Sequence, residues 1–270
     1  MMNTMRENRI EYFFVEIHAA EHCNLCCAGC THFSPLAREE FCDVEQTGST
    51  LSRLIQIAGN NCRAIHIMGG EPLLNPNLPE LMNRIREAAG NNISIELVTN
   101  GLLLDVALDA FWDSCRKNHI IIRPTVYPID VDYQKLASLA DEKQVLFQTY
   151  SKPGETKTFK SFPLDLNGTQ NNQNSFEECD LASKFLLLKQ GYLYICSISA
   201  NIEHFNRFFN LDLERSEQDR IDVFQLQSLE DLLDRINKPI PFCRYCNVSL
   251  RRNIGCWNKS QYKLEEWTSS

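Results

Sequence analysis

Residues 22–30 read HCNLCCAGC, which places Cys23, Cys26, Cys27 and Cys30 within eight positions. The apolar run YFFVEIHA (12–19) that leads into them has the texture of a strand. The thiols therefore form a loop at a strand end, and their density calls for a metal, a cluster or disulfides. The opening segment MMNTMRENRI is polar, and the first apolar run is too short for a signal peptide or a membrane span. The chain reads as cytoplasmic, where thiols serve as ligands or redox groups more often than as disulfides. Its twelve cysteines are clumped at 23–30, 179–196 and 243–256, with Cys42, Cys62 and Cys115 scattered between. This clumping favours ligand sets.

Behind the loop, short apolar runs alternate with helical patterns. Strands are expected at 12–19, 64–70, 93–101, 119–128 and 144–151, and helices at 49–59, 78–90, 105–118 and 131–142. Gly90 is read as the stop of the second helix. Five such βα units imply a parallel sheet with right-handed crossovers and outer helices. Ligands of such folds gather at the C-terminal strand ends, where the cysteine loop lies. From 151 to 178 the chain turns polar and Asn/Gln-rich, in the manner of a linker, a substrate loop or a surface insertion. A smaller unit follows, with a hairpin at 185–196, a polar stretch, a helix at 228–238 and the segment PFCRYC. The chain is thus divided into a core (1–170) and a second unit (171–270). A formal charge of −8 argues against a nucleic-acid partner.

Cys23, Cys27 and Cys30 give the spacing C-x3-C-x2-C. A cluster of four irons held by three thiolates keeps one iron open to a further ligand. Zinc is the alternative, although the loop lacks a pair-spacer-pair layout. One βα unit later comes MGGEPLL, where Gly69 and Gly70 allow a close backbone approach. Glu71 offers a carboxylate to an ammonium group, and Pro72 fixes the turn.

Together CNLCCAGC and GGEP resemble the two defining motifs of the radical SAM superfamily, and TNG (99–101) resembles a frequent ending of its third barrel element. The resemblance implies an α/β fold, a partial (β/α)6 TIM-like barrel. It also implies a [4Fe–4S] cluster on Cys23, Cys27 and Cys30 whose open iron is chelated by S-adenosylmethionine (SAM). Gly69, Gly70 and Glu71 would bind the methionine amino end, with Thr99 and Asn100 near the ribose or methionine. The residue before the third cysteine, often aromatic in that family, is Gly29 here, and His32 or Phe33 is expected to fill its place.

The later cysteines follow the layout C-x11-G-x4-C…C-x2-C, through Cys179, Gly191, Cys196, Cys243 and Cys246. The first two bracket a hairpin, and four thiolates suffice for an auxiliary [4Fe–4S] cluster or for a zinc ribbon. The layout resembles the twitch variant of the SPASM domain, and in size the chain is similar to the 2-deoxy-scyllo-inosamine dehydrogenases. Sequences with HFSPLA and KPIPFCRYC also look like radical SAM proteins of surface-polysaccharide gene clusters. These likenesses imply oxidation of a hydroxyl on a sugar-like small molecule, an auxiliary cluster as electron acceptor, and a flavodoxin- or ferredoxin-type reductant. The base is sought among Arg123, Tyr127, His119 and Asp130. The alternatives are an epimerase with Cys256, Cys115 or Cys42 as hydrogen donor, a peptide-modifying enzyme, or a non-enzymatic iron–sulfur or zinc scaffold. The short stretch before the first strand speaks against the peptide reading, and GGEP against the scaffold. The negative charge favours a cationic aminosugar over a phosphorylated one.

Overall fold

The protein, a computed structural model, is described over residues 10–149 and 158–269. In chain order the first half runs β1 (Phe13–Ala20), α1 (Val44–Ala58), β2 (Cys62–Gly69), α2 (Leu78–Ala89), β3 (Ser94–Thr99), α3 (Asp109–Lys117), β4 (Ile120–Pro124) and α4 (Tyr133–Glu142). The four strands are parallel and ordered β4-β3-β2-β1. Alternation along them sets two faces. Phe13, Val15 and Ile17, with Ile65, Ile67, Ile95 and Leu97, are buried against the outer helices. Glu16, His66, Glu96 and Arg123 occupy the other, concave face.

Local chemistry sets the helix limits. Asp43 caps α1 by accepting the Gln46 N–H, which starts this helix earlier than its apolar period suggests. Gly90, with a φ of 66°, ends α2 as expected. The expected fifth strand shrinks to a single parallel bridge between Ile122 and Phe147, and its last two positions lie outside the described residues. Among the described residues the sheet is therefore open beyond β4, and the arc does not close into a barrel.

The second half adds β5 (Phe159–Lys160), α5 (Asn172–Glu177), β6 (Phe185–Lys189), β7 (Tyr192–Tyr194), α6 (Ser197–Phe209), β8 (Ile221–Asp222), α7 (Leu229–Ile236) and β9 (Asn253–Gly255). The hairpin β6–β7 joins the main sheet, because β6 pairs in parallel with β1 on the side away from β2. The seven-stranded order is thus β4-β3-β2-β1-β6-β7-β8, with β5 and β9 forming a separate antiparallel pair. The described part of the polar segment is ordered by its own side chains. Asp165 accepts from Thr169 and Gln170 and from the backbone of Asn167, and Leu164 bridges to Cys246 and Thr268.

Behind the cysteine loop lies a buried charge network. Lys189 Nζ donates to Glu21 (3.0 Å), Asn201 (2.7 Å) and Glu203 (2.9 Å), and Glu21 also meets His18 and His204. Burial by itself would raise the Glu21 carboxyl, but His18, His204 and Lys189 hold it well below the usual carboxylate range. The network ties β1, β6 and α6 into one unit. Lys189→Met leaves Glu21 buried without its cation and is expected to cost about 3–5 kcal/mol of unfolding free energy in urea titrations. The contribution of Glu21 is present above its unfolded value of 4.5 and is lost as pH falls, so the penalty of the variant should shrink in acid.

Candidate functional site

The cysteine loop meets the end of β2 through backbone alone. Gly70 N–H donates to Ala20 O (2.8 Å) and Glu71 N–H to His22 O (3.0 Å). A Cβ on Gly70 would lie 1.9 Å from His22 O, and one on Gly69, whose φ is 131°, would lie 2.2 Å from Ala20 O. The two glycines are thus required by the neighbouring chain as well as by any ligand above them.

Glu71 is fully buried and does not line the cleft. Its carboxylate accepts Thr99 Oγ1 (2.7 Å), Asn100 N (2.9 Å) and Leu73 N (3.2 Å). Burial pushes its carboxyl up to about 7 despite these donors. Glu71 thereby braces the end of β3 and sets the Thr99–Asn100 turn, a different placement from the ammonium contact expected of it. Pro72 is buried in the turn after it. Asn100 Nδ2 reaches Asn24 Oδ1 (2.7 Å) and lies 3.8 Å from Cys23 Sγ, linking the third strand to the loop.

Above this frame opens a cleft of about 560 Å³, lined by Cys23, Cys27, Cys30, Gly69, Gly70, Thr99 and Asn100 among others. It lies at the C-terminal strand ends and falls within the range of small-molecule and cofactor sites. Burial pushes the thiols of Cys23 and Cys27 up to about 12 and also raises Cys30. Unligated, all three are neutral; bound metal charge would convert them to thiolates. Among the described residues no three His, Cys, Asp or Glu side chains converge closely enough to hold one metal ion. All three thiols line the cleft, and an all-thiol donor set suits iron–sulfur chemistry.

Cys26 stands apart, with a φ of 56° and its Sγ 3.4 Å from the Tyr262 hydroxyl. Phe33 does not reach the cleft. Its left-handed φ of 54° turns the ring into the core against Phe205 and Trp267, and His32 lines the cleft instead. Burial, with His18 beside it, lowers His32 to about 3, so its imidazole is neutral.

The expected bases have other partners. Arg123 forms a two-pronged ion pair with Glu96, at 3.1 and 3.2 Å. Tyr127 lines the cleft, and its hydroxyl is hydrogen-bonded to Cys27; burial and the surrounding thiols keep it protonated. His119 precedes β4 and so lies at the N-terminal ends of the strands, away from the cleft. Glu16 was not singled out from sequence, although a charge inside an apolar strand was the signal. It opens onto a 210 Å³ cavity with Thr31, His32, Leu181, Phe185 and Ser197, and Thr31, His32 and Leu181 also line the main cleft. Burial pushes its carboxyl up to about 7.

The second thiol set is brought together from three elements. Cys179 precedes the β6–β7 hairpin, Cys196 caps α6, and Cys243 and Cys246 flank a tight turn. Burial raises Cys196 to about 11 and Cys243 to about 12, and in each case neighbouring members of the set add to the rise. Cys246 is raised further by burial and then by the other three. Cys256 is exposed and borders a separate 220 Å³ cleft beside Cys27. Cys115 is buried against Met82, and Cys42 is partly buried.

A GTP 3′,8-cyclase of Chlorobaculum tepidum is 38% identical over 101 residues, 37% of this chain and 29% of the cyclase. A Mycobacterium tuberculosis GTP 3′,8-cyclase is 25% identical over 120 residues, 42% of this chain and 33% of that protein. The matches thus span about a third of those relatives. The crystal structure of BtrN in complex with AdoMet and 2-DOIA overlays with a TM-score of 0.50 at 15% identity, covering 87% of this chain and 93% of BtrN, a likeness of fold. Residues 18–132 match the profile of the Radical SAM superfamily, and this stretch holds the cysteine loop, the glycine pair and the Thr99–Asn100 turn: the chain carries a radical SAM domain.

Proposed function

We propose that this protein is a radical SAM enzyme that oxidises a hydroxyl of a sugar or aminocyclitol to a ketone. The observation that carries the reading is a second, partly buried thiol set beginning one residue from the cleft: Cys179 adjoins Asp180, which lines it. Cys23, Cys27 and Cys30 would hold the SAM-ligating [4Fe–4S] cluster, and Cys179, Cys196, Cys243 and Cys246 an auxiliary one. When bound, these groups supply reductive cleavage of SAM, hydrogen-atom abstraction by the 5′-deoxyadenosyl radical, and an acceptor for the electron left on the substrate. Gly69 and Gly70 leave room for the methionine end of SAM, and the Glu71-braced turn presents Thr99 and Asn100 beside it.

Loss of a C–H hydrogen and of one electron leaves the hydroxyl proton to be removed. Glu16 is the base this reading assigns. It has no hydrogen-bonding partner among the described residues, it lines a cavity that shares Thr31, His32 and Leu181 with the cleft, and its raised pKa suits proton transfer near neutral pH. Arg123 and Tyr127 then serve as an ion-pair partner of Glu96 and as a thiol hydrogen-bond donor. A cytosolic setting with a flavodoxin- or ferredoxin-type reductant completes the proposal.

The name of the cyclase relatives raises a second reading, a nucleoside triphosphate substrate. The likeness covers 37% of this chain and 29% of the Chlorobaculum tepidum cyclase. Among the described residues lining the cleft the cation is Lys160, already paired with Asp180 at 2.7 Å. A triphosphate calls for more positive charge than this, and a neutral or aminated polyol does not.

The first test is reduction of the reconstituted protein with dithionite in the presence of SAM. 5′-Deoxyadenosine should form, and SAM that binds without being cleaved would end the enzyme reading. Carbon-deuterated 2-deoxy-scyllo-inosamine and related sugars then report the substrate through deuterium in 5′-deoxyadenosine, with one ketone per turnover. Solvent deuterium in a product of unchanged oxidation state would indicate epimerisation instead.

Two sets of variants follow. Cys27→Ala should lose SAM-cluster iron and SAM cleavage while Cys26→Ala keeps both, as measured by iron content and 5′-deoxyadenosine yield. Glu16→Gln should still transfer deuterium to 5′-deoxyadenosine but form ketone at least ~100-fold more slowly. In the native protein ketone formation should rise with pH through about 7, as Glu16 ionises, and the variant should lack that limb. Because folding raises the Glu16 pKa from 4.5 to about 7, native stability falls relative to the variant across this interval as pH rises.

A further inference from the structure

The segment that follows β9 lies across the cysteine loop and makes ordered contacts with it. Ala28 N–H donates to Asn258 O (2.9 Å), Ser260 N–H donates to Cys26 O (2.8 Å), and Cys27 and Lys259 form an antiparallel bridge. Gly29 fits beneath the segment, where a Cβ would lie 3.2 Å from Glu266 O. Two indoles from this segment reach the loop with different chemistry. Trp267 Nε1–H donates to the backbone oxygen of Cys30 (2.9 Å), whereas Trp257 Nε1–H donates to the Cys27 sulfur itself (3.1 Å). Tyr127 meets the Trp257 ring edge to face at 6.4 Å and directs its hydroxyl to the same sulfur. Two donors from opposite parts of the chain thus converge on one of three ligand thiols.

We propose that Trp257, assisted by Tyr127, is a positioning residue that sets the reduction potential of the SAM-ligating cluster by hydrogen bonding to Cys27. The inference rests on the reading of Cys23, Cys27 and Cys30 as that cluster's ligands. Hydrogen bonds to ligand sulfur withdraw negative charge and stabilise the reduced state, which raises the potential. An indole N–H cannot be deprotonated in this range and cannot accept, so its effect has one sign at every working pH. The potential determines how easily a ferredoxin-type donor can reduce the cluster and how much driving force then remains for cleaving SAM.

The test is a redox titration of the reconstituted full-length protein, following the paramagnetic signal of the reduced cluster that changes on addition of SAM. Trp257→Phe keeps the aromatic ring and removes the donor. Its midpoint should move to more negative potential with iron per chain unchanged. Tyr127→Phe should move it in the same direction, and decides the matter if Trp257→Phe fails to hold iron. Trp267→Phe, which removes a donor to backbone and not to sulfur, should leave the midpoint in place. An unmoved or more positive midpoint in both donor variants overturns the proposal, as does an equal shift in Trp267→Phe, which would indicate packing and not hydrogen bonding. If no signal of the native protein responds to SAM, the ligand assignment itself has failed, an outcome separate from an unmoved midpoint.

Discussion

Two backbone hydrogen bonds hold the rest of the site in place, Gly70 N–H to Ala20 O and Glu71 N–H to His22 O. They fasten the start of the cysteine loop to the end of β2 at a separation that excludes any side chain on either glycine. From that junction Glu71 reaches to Thr99 and Asn100, and Asn100 reaches back to Asn24 beside Cys23. Three strand ends are locked into one rim. The thiols are fixed relative to the glycine pair before any ligand arrives, the preorganisation a binding site requires.

Behind the rim the molecule has charge where an outer sheet face would have hydrocarbon. Lys189, Glu21, His18 and His204 form one buried polar network, and Glu96, Arg123 and His66 form another. Burial and Arg123 hold His66 below its ordinary value, though Glu96 opposes them. Such networks are costly to assemble and costly to break, so they fix geometry more than they add stability. Glu16 lies on the same concave face outside both networks, with burial alone raising its carboxyl.

Much of this was legible in the chain. The spacing of Cys23, Cys27 and Cys30, the βα alternation and the stop at Gly90 are local signals, and the structure reproduces them locally. Other features depend on distant residues. Helix α6 reads as a polar stretch because its buried side carries Ser197, Asn201 and His204, which answer to Lys189 and Glu21 and break the apolar period. Phe33 looked available to a cofactor, but its left-handed backbone aims the ring at the core. The role of the glycine pair was half visible. Their freedom is evident from sequence, whereas the strand they must pass is not. Trp257 had no local signature at all, since its partner thiol is 230 residues away.

That separation bears on how the protein is made. The cysteine loop is synthesised some 230 residues before the segment that covers it. At typical elongation rates the interval is on the order of 10–50 s. Through that time the thiols lack the cover that this segment provides. On the reading of Cys23, Cys27 and Cys30 as cluster ligands, that order places loading before sealing, with the indole of Trp257 reaching Cys27 only after the loop has stood open.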